Sequence, residues 1–389
     1  MTSSPPHQGS NAERSRSRNR TAVLGQIHHA GELGRAELAR ALDLSVQAVS
    51  NIIADLLQDG MLIEKGARSA GRGLPAVQYG IKPEGGFALG IEVRPNVIFA
   101  ALLDLTGTAV FTRRSVLRSA RPEDVILEVT RLRDAALTEV PAANDRMLGA
   151  GIVMPGPFGA TGLSGRETEL PEWQNVNPAE LFQSALGLPV EVSNDANAAA
   201  MAERISGCAH GLGSFAYLYF GTGLGLGLVS QGHLVRGAFG NAGEIGHIPV
   251  PTPLGSAPLE TRLSRMSVRR QLEMSGHSNI DFEKIEKLYA TSDPELMTWL
   301  GSASDALGHA MQIIENVFDP QTTILGGAMP DAVLRHLVRN VSLNNASVSR
   351  RSDNPQPRLQ CGASGRLVAT LGAAALILNS RLTPHAATH

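Results

Sequence analysis

Asn194, Asp195, Glu244 and His247 stand out for what their side chains could hold together. Asn194 and Asp195 fall where a strand-like run ends and a helical one begins. Glu244 and His247 lie three apart in the Gly-flanked turn AGEIGH, so both side chains can point one way. Carboxylates, amides and imidazole supply directional acceptors and donors, the set a polyhydroxylated ligand requires. Plainer roles compete: Asn194 and Asp195 suit helix capping, and a histidine taken alone is more often structural. A second group has different chemistry. Ser45, Gln47, Ser50 and Asn51 are short polar residues at the start of a helical stretch, suited to base edges and phosphates in a major groove. Arg35, Lys65 and Arg72 are the cations placed to meet DNA backbone, with Arg72 on a Gly-rich tip that suits the minor groove.

The bulk numbers set the frame. A chain of 389 residues with 43% hydrophobic residues can build more than one sizeable core. The formal net charge is −2, so nucleic-acid binding must come from a local basic patch rather than from the whole molecule. The two cysteines, Cys208 and Cys361, have no metal-type spacing. A disulfide framework and a Cys-based zinc site are therefore not expected, and a reducing cytoplasm is the expected setting. The first twenty residues lack the apolar core of a signal peptide, and no run is long and apolar enough to span a membrane.

Positioning these residues falls to recognisable elements. Residues 1–20, with Arg14, Arg16, Arg18 and Arg20 among Ser and Asn, read as a disordered basic tail, solvated or serving as an arm on DNA. Residues 21–80 read as a winged helix-turn-helix. A first helix stops near Gly31, a second covers Arg35–Leu42, and a third covers Val46–Gln58 with Ser45 as its N-cap and Gly60 as its stop. Two short strands then flank the basic, Gly-rich wing 65–75. Residues 81–86 read as a linker. The remainder alternates strands and helices in an α/β pattern: a first lobe over 87–193, completed by a C-terminal helix at 366–380, and a second over 194–365. Three antiparallel strands, a helix and a further strand recur in that order, which predicts a duplicated two-lobe fold with a cleft between the lobes.

At this point the sequence resembles the ROK family of repressors, open reading frames and kinases, and specifically its winged-helix regulators. The resemblance rests on ArgAlaGluLeuAla (35–39), LeuSerValGlnAlaValSerAsnIle (44–52), the wing GlyArgGlyLeuPro (71–75), MetProGlyPro (154–157), TrpGlnAsnVal (173–176), AsnAspAlaAsnAlaAla (194–199), GlyThrGlyLeuGlyLeuGly (221–227), AlaGlyGluIleGlyHis (242–247) and AspProGln…LeuGlyGly (319–327). It implies an actin/hexokinase-like body of duplicated RNase H-like lobes. It also implies sugar contacts from Gly156, Asn175, Asn194, Asp195, Glu244, His247 and Glu260, with Asp195 where the kinases keep their general base. Two departures matter. The zinc cysteines that follow this histidine in many relatives are missing from 248–260, so no metal is expected. The phosphate-cradling turn of the kinases reads GlyIleGluValArgProAsnVal (90–97), where Pro95 removes an N–H and Arg94 crowds a phosphate.

The resulting expectation is a repressor without catalytic activity or cofactor. It binds operator DNA as a homodimer or homotetramer and is released by a sugar effector. Two rivals stand beside it. One is an active sugar kinase with an appended DNA-binding domain, favoured by Asp195 and the 221–227 turn. The other is a regulator whose second part takes a protein partner, opposed by the intact Asn194/Asp195/Glu244/His247 set.

Overall fold

Helix α1 (Gln8–Ala30), α2 (Arg35–Leu42) and α3 (Val46–Gln58) enclose Val23, Ile27, Leu38, Val49, Ile53 and Leu56, all buried. The structure, a computed structural model, describes residues 8–68, 75–156, 170–252, 255–362 and 365–384. The expected wing tip, with Arg72, lies outside the described residues. Ser45 starts α3 by accepting the Ala48 N–H at 3.1 Å. Gly60, at φ 68°, turns the chain out of α3 in the left-handed region that glycine enters without steric cost. Strands β1 (Glu32–Gly34), β2 (Leu62–Arg68) and β3 (Ala76–Ile81) form an antiparallel sheet in the order β1-β3-β2. This is the architecture of a winged helix. β1 escaped the sequence reading because three residues carry no usable periodicity.

The tail expectation needs correction. From Gln8 onward the chain is already in α1. Arg16 meets Asp55 at 2.5 Å, and Arg20 pairs with Asp59. Both members of each set sit one turn apart on their helices, so the cations run along the acidic back of α3. Arg16 and Arg20, which looked like part of a solvated arm, have a helical partner surface, while Arg14 and Arg18 are exposed.

The rest of the described chain is a two-lobed body. In the first lobe, β4 (Phe87–Arg94), β5 (Val97–Asp104) and β6 (Ala109–Val116) are antiparallel neighbours. Helix α4 (Pro122–Glu139) leads to β7 (Met147–Val153), which pairs parallel with β4. Helix α5 (Pro178–Leu186) leads to β8 (Val190–Ser193), parallel to β7. The second lobe repeats the plan. After α6 (Asp195–Ser206) come β9 (Phe215–Phe220), β10 (Leu224–Ser230) and β11 (His233–Leu234), then a hairpin of β12 (Pro249–Thr252) and β13 (Gly255–Pro258). Helices α7 (Arg265–Met274), α8 (Phe282–Ala290) and α9 (Pro294–Phe318) precede β14 (Thr323–Gly327), α10 (Asp331–Asn340), β15 (Leu359–Cys361) and the final helix α11 (Val368–Leu382). The sheets run β6-β5-β4-β7-β8 and β11-β10-β9-β14-β15, the same order twice.

Helices α6 and α11 join the lobes. Gly372 of α11 lies so close to the Ala198 carbonyl of α6 that any side chain there would collide. α11 also packs on β4 and β7, and its end meets Gly25 of α1. Residues 81–86 are fastened rather than loose: Lys82 N–H donates to the Met61 carbonyl at 2.9 Å, and Leu105 N–H to the Pro83 carbonyl at 3.1 Å. The core of the N-terminal three-helix unit is therefore continuous with the core around α6 and α11. The two cysteines, distant in sequence, meet in space, with Cys208 Sγ 3.8 Å from the Cys361 carbonyl oxygen. Among the described residues no helix is long and apolar enough to cross a membrane.

Candidate functional site

β8 ends at Ser193, and the next two residues open α6. Asn194 is its N-cap: Oδ1 accepts the Asn197 N–H at 2.9 Å, and the residue is buried. The capping role therefore holds, and it also fixes where Asn194 faces. A Cβ built on Gly156, just past β7, would lie 3.8 Å from Asn194 Cβ and 3.8 Å from Glu244 Oε1. Glu244 precedes a short 3-10 turn, Ile245–His247, that carries the imidazole. His247 Nε2 is 3.6 Å from Glu244 Oε2, and Nδ1 is 3.4 Å from Glu260 Oε1. The second approach is close but misaligned, because His247 Nδ1 is buried without a hydrogen-bond partner.

Glu260 reaches the same place from the 3-10 turn Leu259–Thr261, which follows the β12–β13 hairpin. Its Oε2 lies 2.5 Å from where a Gly223 Cβ would stand, so the glycine leaves room for the carboxylate. The Asp195 carboxylate sits 3.0 Å from the corresponding point on Gly221. The turn between β9 and β10 is therefore flanked by Asp195 on one side and Glu260 on the other. Gly156, Asn194, Asp195, Glu244, His247 and Glu260 gather around it from elements of both lobes. Asn175 is exposed in the turn after Pro171–Trp173, and among the described residues no hydrogen bond joins it to this cluster.

Electrostatics set the cluster apart from ordinary surface. Burial raises the Glu244 pKa above its ordinary value; His247 works against the shift and Glu260 reinforces it. Two carboxylates around one imidazole, partly shielded from water, need hydroxyl or cationic donors to complete them.

On the β4 side the decisive residue is Arg94. Its Nη2 is 2.5 Å from Glu92 Oε1 and its Nε 2.6 Å from the same oxygen. Thr370 Oγ1 donates to the other Glu92 oxygen at 2.6 Å. Burial works against the Arg94 cation, but Glu92, Tyr219 and Asp195 outweigh it and raise its pKa. The sequence reading saw only the bulk of Arg94. The pairing was legible, since residues two apart on a strand share a face. Thr370 and Tyr219 come from remote elements and carried no local signal.

The profile of the ROK family matches residues 88–380. The chain belongs to the ROK family. Its relatives include the xylose repressor of Bacillus subtilis (strain 168), 25% identical over 321 residues that span 79% of this chain and 81% of that protein. A solved ROK family transcriptional regulator, described as a homolog of the E. coli MLC protein, is 24% identical with a TM-score of 0.72, covering 95% of this chain and 98% of that one. The ROK hexokinase from Thermus thermophilus, also 24% identical, has a TM-score of 0.57 and covers 75% of this chain and 97% of its own. At these identities the likeness to solved structures shows the fold: a ROK body with an additional N-terminal unit.

In that N-terminal unit the recognition-helix candidates are exposed or half-buried at the start of α3. Gln47 Nε2 donates to Asn51 Oδ1 at 3.0 Å, and Ser50 Oγ donates to the Val46 carbonyl at 2.8 Å. Arg35 is exposed beside the Tyr79 ring, 5.2 Å from its centre. Arg68, not singled out by sequence, ties β2 to α2 through Glu37 at 2.7 Å. Lys65 is placed differently from expectation. It lies across Gly80 and lines a cavity facing the body.

Proposed function

We propose that this ROK protein is a sugar-responsive transcriptional repressor without kinase activity. The observation that carries the reading is the division of the cleft. Glu244, His247 and Glu260 form an acceptor cluster suited to hydroxyls, while the Arg94–Glu92 pair occupies the strand that a nucleotide phosphate would approach. Phosphoryl transfer depends on positioning and on charge neutralisation of the phosphates. A guanidinium bonded to Glu92 takes the only acid of that turn out of service for a metal ion.

The roles follow. Asn194, Asp195, Glu244, His247 and Glu260 grip the sugar hydroxyls and Gly156 leaves room for the ring; Asn175 joins them on the strength of the TrpGlnAsnVal motif alone. Asp195, with no phosphoryl transfer to serve as general base, acts as a hydrogen-bond acceptor for a sugar hydroxyl. Gln47, Asn51, Ser45 and Ser50 of α3 face the major groove, with Arg35 and Arg72 on backbone and minor groove. A homodimer, or a pair of dimers, sets two such heads on a pseudo-palindromic operator in the cytoplasm. Sugar binds more tightly to the form with DNA-incompatible head spacing, and that differential affinity is what releases the operator.

The experiment is a sugar panel, headed by xylose because of the repressor relatives, scored by release from the operator in a mobility-shift assay and by ATP turnover. Release without turnover is expected. Sugar phosphorylation at an ordinary kinase rate would overturn the reading in favour of an active kinase with a DNA-binding domain.

A further inference from the structure

Between the DNA-reading unit and the body lies a cavity of about 540 Å³, within the size range of small-molecule sites. His28 and Lys65 line it from one side; Thr106, Ser206 and His210 line it from the other, over Ile205. Every titratable side chain in that lining is a base. Lys65 is brought there by a β-bulge between Glu64 and Gly66, a device that re-aims a side chain. Its Cε lies 2.8 Å from where a Gly80 Cβ would stand, so the side chain passes directly over that glycine.

The histidines are built into a chain. His28 Nε2–H donates to the Thr106 carbonyl at 3.2 Å, which leaves Nδ1 to accept from His210 Nε2 at 3.4 Å. The His29 ring is 5.4 Å from His210, and Arg204 stands behind on α6. The carboxylates of neighbouring elements are engaged elsewhere. Asp104 accepts from the Thr106 N–H at 2.8 Å and hydroxyl at 2.6 Å, and Glu203 accepts the Cys208 N–H at 2.9 Å. Glu32 and Glu64 do not line the cavity. Burial lowers the pKa of His28 and of His210, so near neutrality the pair is uncharged.

We propose that this junction is a second ligand site, separate from the inter-lobe cluster, for a small anion carrying a phosphoryl group or another tetrahedral dianion, held by Lys65 and His210, with His28 orienting the His210 ring. The anion sits between the two units, so its occupancy favours their docked arrangement and is thermodynamically coupled to whatever undocks them. It also draws a proton onto His210, so binding strengthens as pH falls.

Sulfate is the probe, because it stays dianionic from pH 6 to pH 8 and any pH dependence then belongs to the protein. With the full chain, titration calorimetry and thermal melting should show sulfate binding about fivefold tighter at pH 6 than at pH 8, roughly the most that a one-unit upward shift in one histidine gives across that window. His210→Gln and Lys65→Gln should each abolish the response, while Glu244→Gln keeps it, which separates this site from the sugar reading. In the Glu244→Gln background, glucose 6-phosphate binding tighter than sulfate identifies a phosphorylated metabolite, and equal binding identifies a free inorganic anion. A response that survives both junction substitutions, ignores pH, or is matched by chloride at equal ionic strength overturns the proposal.

Discussion

The Arg94 guanidinium stands 2.5 Å from the Glu92 carboxylate, on a strand close enough to Asp195 for the two charges to interact. Glu92 is buried, and Thr370 is its other partner. A cation held this way is part of the fold before any ligand arrives.

Arg94→Ala should therefore destabilise the protein by about 1–3 kcal/mol, since it strands a buried carboxylate with one hydroxyl. Arg94→Ala combined with Glu92→Gln should recover part of that loss. Denaturant melts of the four-member cycle measure the coupling, and additive losses would mean the pair is incidental. Millimolar ATP should leave the wild-type melting temperature unchanged.

Glu244 carries a pKa raised chiefly by burial. Its ionised form is thus disfavoured by folding, and the penalty is relieved as pH falls through the raised folded-state value. Glu244→Gln should leave the ligand-free protein as stable at pH 7, or slightly more so, while weakening sugar binding by about 1–3 kcal/mol. Sugar affinity of the wild type should decline under mildly acidic conditions, before ordinary exposed glutamates titrate. Parallel melts and calorimetry from pH 5 to pH 8 decide it.

Gln47 and Asn51 hold each other on the exposed face of α3. Gln47→Ala should reduce operator affinity at least about tenfold, as expected for loss of a bidentate base contact, with sugar binding unchanged. Asp195→Ala should do the reverse. Mobility shift and calorimetry on both variants test the division of labour, and equal damage to both activities would refute it.

Arg20 pairs with Asp59 across α1 and α3. Arg20→Ala should cost no more than about 1 kcal/mol, and the cost should shrink in high salt. A large fall in operator affinity with no change in melting would return this arginine to the DNA instead.

Much of the chain was legible locally. Ser45 as a cap, Gly60 as a stop and the helices at 35–42 and 46–58 follow from propensity and period, which act over a few residues. The repeated strand–helix order announced the two five-stranded sheets for the same reason. The motif glycines could be named, but not what stands against them.

What only the tertiary structure decided is which side chains meet. Asn194, Glu244 and Glu260 lie on three separate elements, and their convergence depends on how two sheets stack on α6 and α11. Arg16 and Arg20 looked like solvated charge until α3 presented Asp55 and Asp59 at matching intervals. Lys65 reads as a wing cation, yet a one-residue bulge turns it toward the body. Periodicity fixes which face a residue occupies within its own element; the partner across that face is chosen by packing between elements distant in the chain, which no local pattern encodes.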